Sequence, residues 1–302
     1  MCGIFFYKGH ENYNIIEKNA LKIKHRGPDS YRNLYYEDMT FHFFRLRING
    51  LNDNSDQPFH MKGIILMCNG EIYNYKELQK KENFDYKTQS DCEIILHMYL
   101  KHGIEHTLNV IDGVFSFVLY DSINDILYIA RDHLGIRPLY IAKNDNELCV
   151  ASELKSLHFM AKKTDISQFP PRSYWNSFSK TFRQYYILSI PTVLYSSEDE
   201  ICSNIYTLLY KSVMKRVETS DVEIGCLLSG GLDSSLIASI YSKLSSRPIK
   251  TFSIGLEGSP DLIASRKVVE MIKSDHYEYI VSEKDMIDHI NEVIYILGSY
   301  DI

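Results

Sequence analysis

The chain has 302 residues, 45% of them hydrophobic and 24% charged. That is the composition of a folded protein, with length for about two domains. A formal net charge of -6 and scattered Lys and Arg exclude a nucleic-acid footprint. No apolar run is long enough to span a bilayer, and no basic-then-apolar leader opens the sequence. The six cysteines, at 2, 68, 92, 149, 202 and 226, form no C-x-x-C pair, which argues against a zinc or dithiol motif. Cys68, Cys149, Cys202 and Cys226 lie in apolar runs and read as small core residues. The expected compartment is reducing, the cytoplasm.

In chain order, residues 2–8 read as an apolar strand, and 14–24 carry apolar residues at helical spacing. His25-Arg26-Gly27-Pro28-Asp29 is a rigid turn. Strands follow around 32–36 and 40–48, and 49–58 reads as a polar loop. Residues 63–68 read as a buried strand stopped by Asn69-Gly70, first of all a turn dipeptide. Ser90 is placed to cap a helix starting at Asp91. Strands recur at about 114–120, 126–131, 138–142 and 148–151, and residues 164–188 read as an aromatic-rich finishing hairpin. Many strands with few helices predict an α+β domain of layered antiparallel sheets with helices outside.

Cys2 stands out by position. If Met1 is removed, Cys2 carries a thiol with an ordinary pKa of about 8.5 and an α-amine of about 7.7–8.0. Nucleophile and base then share one residue. Polar clusters where strands end supply the rest of an amide-hydrolysing site. Asn69-Gly70 offers amide donors for an oxyanion. An Arg such as Arg45 can hold a carboxylate by two bonds, and Asp91 can hold an ammonium. Each cluster alone also has a plain reading: a turn, a solvated Arg, a helix N-terminal carboxylate.

The ordered segments MCGI, HRGPD, RL, NGEIYN, SDCE, GVFSFVLYD, ARDHLGIRPLY and ASELKSL resemble the glutaminase domain of the class II, N-terminal-nucleophile glutamine amidotransferases. Among these they resemble the asparagine synthetases most. The resemblance implies an Ntn-hydrolase fold with Cys2 as nucleophile and Asn69 and Gly70 as the oxyanion hole. It places glutamine against Arg45 (α-carboxylate), Asp91 (α-ammonium), Glu71 and the Leu46-Arg47-Ile48-Asn49 stretch. Arg47 and Asn49 depart from the Ser and Val more usual in the family.

A shift to polar punctuation puts the domain boundary at 189–198, between a glutaminase domain at 1–188 and a second domain at 199–302. A helix is predicted over 198–217. Then Glu223 to Ser235 reads as strand, Gly-rich turn and helix (232–244), followed by a strand at 249–255: a βαβ unit of a parallel α/β sheet. Two glycines and a helix N-terminus form an anion site, and the spacing is not that of the Walker loop. The run Ser229-Gly230-Gly231-Leu232-Asp233-Ser234 resembles the pyrophosphate loop of the ATP pyrophosphatases. The resemblance implies ATP as substrate, held by Leu228 and Ile254 through backbone and by Ser229, Gly230, Gly231, Asp233 and Ser234 at the phosphates. Asp233 would meet Mg²⁺ there.

TFSIGLEGSPD, DHYEYIVS and IYILGSYD also resemble the asparagine synthetases, except that Gly298 stands where the family usually has Glu before Ser299-Tyr300-Asp301. The family's second ATP loop and most of its aspartate site would lie beyond Ile302, leaving the α/β domain incomplete. The leading expectation is glutamine-dependent asparagine synthesis, with glutamine, aspartate and ATP as substrates. A homodimer, without nucleic-acid or membrane partners, is the family expectation. A stand-alone glutaminase with a vestigial ATP domain and a non-catalytic glutamine or nucleotide sensor are the alternatives.

Overall fold

Strand β1 (Gly3–Lys8) lies in the middle of the first sheet, between β3 (Met39–Arg45) and β9 (Leu148–Ala151). β2 (Ser30–Tyr36), β8 (Tyr140–Lys143) and β10 (Ile166–Gln168) complete it in the order β10-β8-β9-β1-β3-β2. A second six-stranded sheet is ordered β12-β11-β7-β6-β5-β4. Its strands are β4 (Phe59–Met61), β5 (Ile64–Ile72), β6 (Gly113–Asp121), β7 (Ile126–Arg131), β11 (Ser173–Asn176) and β12 (Phe182–Gln184). Every pairing in both sheets is antiparallel. The structure is a computed structural model that describes residues 1–189 and 197–298.

The alternation of side chains along a strand sorts these residues into layers. Ile4 and Phe6 of β1 meet Ile65 and Met67 of β5 in a core between the sheets. Phe5 and Tyr7 point the other way, to Ile16 and Ala20 of α1 (Tyr13–Ala20). On the far side, Leu66 and Cys68 pack with Leu78 of α2 (Tyr75–Glu82) and Ile94 and Ile95 of α3 (Glu93–Val110). The result is helix, sheet, sheet, helix: the expected α+β layering.

Several elements differ from the sequence reading. The helix expected over 14–24 is α1 followed by a 3₁₀ turn at Leu21–Arg26, with Ile23 off helical geometry. β5 runs through Asn69-Gly70 to Ile72, because pairing with β6 overrides the turn preference of that dipeptide. The aromatic hairpin exists as β11 with β12, but β10 pairs with β8 in the other sheet. α3 starts at Glu93, two residues after the expected start, and is interrupted at Gly103. Cys202 is exposed rather than a core residue, whereas Cys68 and Cys149 are buried.

The chain divides into two compact units, Met1–Ser189 and Ile190–Ile302. All but the ends of the expected 189–198 linker, and the terminal Ser299-Tyr300-Asp301, lie outside the described residues. The second unit opens with α4 (Glu198–Thr219), capped by the Ser197 side chain. β13 (Gly225–Leu227), β14 (Lys250–Leu256) and β15 (Asp275–Val281) form a parallel sheet with β14 in the centre. α5 (Leu232–Leu244) joins β13 to β14 and α6 (Pro260–Ile272) joins β14 to β15. The expected βαβ unit is therefore followed directly by a second one. α7 (Glu283–Asp288) and α8 (Ile290–Leu297) follow. Gly298 closes α8 in left-handed geometry, φ 72°, which accounts for glycine at that departure from the family pattern. No helix among the described residues is long and apolar enough to cross a membrane.

Candidate active site

The period-two alternation that sends Ile4 and Phe6 inward also sends Cys2 to the inner side of the first sheet, packed against the inter-sheet core. On the facing sheet, Ile65 and Met67 point inward, and the same alternation carries Asn69 and Glu71 to that side. Cys2, Asn69 and Glu71 accordingly line one cleft at the end of the sandwich. Leu46, Ile48, Asn49, Gly70 and Asp91 line it as well.

The Leu46 N–H donates to Cys2 Sγ at 3.4 Å, and the thiol faces the Leu46 carbonyl at 3.6 Å. Arg26 Nε donates to the Cys2 carbonyl at 2.9 Å and is itself held by Glu153 at 3.0 Å. Burial pushes the Cys2 thiol up; the Leu46 N–H, the chain's terminal ammonium and Arg137 pull it back. Burial lowers the pKa of that terminal amine, which belongs to Met1.

Asn69 is 1% exposed, and neither its amide nitrogen nor its amide oxygen has a hydrogen-bond partner. An unsatisfied buried amide costs about 1–3 kcal/mol. Its place in a cleft beside a thiol is the mark of a donor held for a ligand.

Asp91 is 4% exposed. Its carboxylate accepts from Ile72 N–H at 2.7 Å, and Asn49 Oδ1 accepts from Asp91 N–H at 3.0 Å. Burial pushes its carboxyl up to about 6; the Ile72 N–H opposes the rise and Glu71 adds to it. Glu71 is paired with Arg137. The cleft thus presents a buried acid without a cation beside it among the described ion pairs, which suits an incoming ammonium.

Two residues of the expected pocket are placed elsewhere. Arg45 is buried, and its guanidinium is engaged by Asp56, by the Asn52 carbonyl at 2.9 Å, the Asn49 carbonyl at 3.1 Å, and the Gly50 carbonyl. It ties down the 49–56 loop and is not among the cleft-lining residues. Arg47 pairs with Asp53, and its N–H donates to Asp29 at 2.7 Å. Sequence reasoning passed over Gln57, Cys68, Ser90, Cys92 and Arg137, all of which line the cleft. Arg137 had a signal in the charge it places inside an apolar stretch; Gln57 sat in a segment read only as loop.

In the second unit, a pocket of about 470 Å³ is lined by Leu228, Ser229 and Ile254 together with Phe252, Tyr277 and Asp261. Phe252 and Tyr277 stack with centroids 5.3 Å apart. Beside it, Gly231 precedes α5 without a side-chain cap, so the helix's first N–H groups face outward for an anion. Ser229 Oγ and Ser234 Oγ lie 3.0 Å apart and cross-brace the loop. Gly230 has φ 79°, and a Cβ there would fall 2.4 Å from the Ser265 nitrogen, so only glycine fits. Gly230, Gly231, Asp233 and Ser234 shape the loop but do not line the pocket itself.

Residues 1–201 match the glutamine amidotransferase domain family. The chain belongs to the glutamine amidotransferase family. Residues 204–300 match the asparagine synthase family. This amidotransferase is 37% identical to the human glutamine-hydrolysing asparagine synthetase and 38% identical to that of Bos taurus, with all of this chain and 60% of each relative aligned. The chain thus spans about 60% of the length of these curated relatives. Two solved structures share the fold. One is the glutamine phosphoribosylpyrophosphate amidotransferase of B. subtilis, with TM-score 0.52 and 16% identity over 95% of this chain and 70% of that one. The other, an allosteric regulatory enzyme of purine biosynthesis, has TM-score 0.53 and 15% identity over 99% and 88%.

Proposed function

We propose that this amidotransferase serves glutamine-dependent asparagine synthesis. Cys2 attacks the side-chain amide of glutamine, and the α-amine freed by loss of Met1 takes the thiol proton and delivers it to the leaving ammonia. Water then releases glutamate from the γ-glutamyl thioester. Asn69 Nδ2 and the Gly70 N–H stabilise the tetrahedral oxyanion in each step. Asp91 receives the substrate α-ammonium. Arg45 receives the α-carboxylate by exchanging Asp56 for it, and Glu71, Leu46, Ile48 and Asn49 close the pocket, with Arg47 at its rim.

The second unit supplies the nucleotide end. ATP lies with its base against Leu228 and Ile254 and its phosphates at Ser229–Ser234, and activates aspartate to β-aspartyl-AMP, which ammonia converts to asparagine. Asp233 is exposed in the first turn of α5. One carboxylate at a phosphate loop fits Mg²⁺, which takes few protein ligands. When bound, the ion neutralises phosphate charge. Six free thiols support a cytoplasmic setting, and the homodimer rests on the family resemblance.

The observation that carries the reading is the unpartnered amide of Asn69 in the cleft that holds Cys2. A binding-only relative need not keep a thiol nucleophile beside such a donor. Glutamate release from glutamine tests the first half. Asparagine and pyrophosphate formation from aspartate, ATP, Mg²⁺ and ammonia tests the second, because free ammonia bypasses Cys2.

A further inference from the structure

β4 pairs with β5 only at Ile64, Ile65 and Leu66. Past Leu66, β5 has β6 on one side, and a side chain takes the place of the strand on the other. Cys68 N–H donates to Gln57 Oε1 at 2.6 Å, and Gln57 Nε2 donates to the Cys68 carbonyl at 3.2 Å. This is the two-point exchange that two peptides make in a sheet, made here by one carboxamide. Gln57 is 4% exposed, so water does not compete for it.

The next residue is Asn69. Its side-chain amide makes no hydrogen bond of its own, so its backbone and the packing around it set where that amide points. One edge of that backbone is paired with Ser116 of β6. The peptide before it is pinned by Gln57. We propose that Gln57 is the positioning residue for the oxyanion hole: it holds the Cys68-Asn69 segment so that the Asn69 amide meets the oxyanion formed at Cys2. This rests on the roles given to Cys2 and Asn69 above. A displacement of about 1 Å in such a donor is enough for a rate loss on the order of 10²-fold.

The test is a double-mutant cycle on glutamine hydrolysis by the 302-residue chain. Gln57→Met keeps length and removes both bonds; Gln57→Glu keeps an acceptor for Cys68 N–H and removes the donor. Gln57→Met should lower kcat at least about tenfold with KM changed less than about twofold, and Gln57→Glu should fall between it and the wild type. In an Asn69→Ala background, Gln57→Met should bring no further loss, because the donor it positions is already gone. If Gln57→Met does not fold, Gln57→Glu carries the same cycle. Losses that multiply in the double variant, or a rise in KM at unchanged kcat, overturn the inference and make Gln57 an independent structural or substrate contact. A wild-type chain that releases no glutamate overturns the glutaminase reading and this one with it; an active chain with multiplying losses overturns this one alone.

Discussion

Leu46 holds Cys2 by its backbone: its N–H lies 3.4 Å from the Cys2 sulfur and its carbonyl 3.6 Å. The thiol is therefore fixed by the residue that follows β3, while Arg26 fixes the Cys2 carbonyl. The thiol is oriented by the main chain of Leu46 and the Cys2 carbonyl by the side chain of Arg26.

Asn69→Ala should lower kcat by about 10²–10³-fold, the usual loss for one oxyanion donor, with little change in KM. Because both polar atoms of the amide are unpartnered, the variant should be as stable as the wild type or more so. Steady-state kinetics and a thermal melt check the two halves together.

Asp91 links binding and stability to pH. Burial lifts its folded pKa to about 6, above the ordinary 3.8 of an aspartate. The native state therefore holds this proton more tightly than the unfolded chain, and the ionised carboxylate weakens the fold above pH 6. Stability from this group should rise as pH falls from about 6 to about 4, by about 2–3 kcal/mol. Glutamine binding should move the other way, weakening as pH falls through 6 and Asp91 loses its charge. Asp91→Asn should flatten the stability profile in that window, raise stability at pH 7 and raise KM sharply. Chemical denaturation at a series of pH values checks the sign.

Arg45 and Asp56 are a buried pair at 5% and 4% side-chain exposure. Removing Arg45 leaves Asp56 with Arg32 at 3.3 Å and Arg47 at 3.7 Å. Arg45→Ala should therefore destabilise the chain, by less than the roughly 3–5 kcal/mol of a fully orphaned buried charge, as well as raise KM. Asp56→Asn releases Arg45 for substrate and should lower KM for glutamine. An unchanged KM in Asp56→Asn would remove Arg45 from the carboxylate role; isothermal titration with glutamine in a Cys2→Ala background reads it directly.

Gly230→Ala puts a methyl group 2.4 Å from the Ser265 nitrogen at φ 79°. It should displace the loop from α6 and abolish nucleotide binding by the second unit, while glutamine hydrolysis stays unchanged. Fluorescent-nucleotide titration alongside the glutaminase assay checks it.

Most of the layering was legible in sequence because period-two apolar runs such as Ile4-Phe5-Phe6-Tyr7 announce strands that meet a core on each face. The αββα arrangement follows once helices cover the outer faces. What misled were local signals that tertiary pairing overrides. Asn69-Gly70 reads as a turn, yet β6 pairs with it throughout. Residues 164–188 read as one hairpin, yet β10 joins a different sheet. At the site, Cys2, Asn69 and Asp91 could be named from residue type and motif. The engagement of Arg45 by Asp56 and the pinning of Cys68 by Gln57 could not, since both depend on where the 49–58 loop folds back.

The proposed mechanism makes Cys2, with its own freed amine, the nucleophile toward glutamine. The direct measurement is intact-mass and peptide analysis after exposure to a glutamine analogue bearing a diazoketone at the carboxamide position. One adduct is expected, on Cys2 of chains that have lost Met1, suppressed by excess glutamine and absent when Met1 is retained or Cys2 is Ala. An adduct formed equally well on chains that keep Met1, or one carried by Cys68 or Cys92 instead, would contradict it.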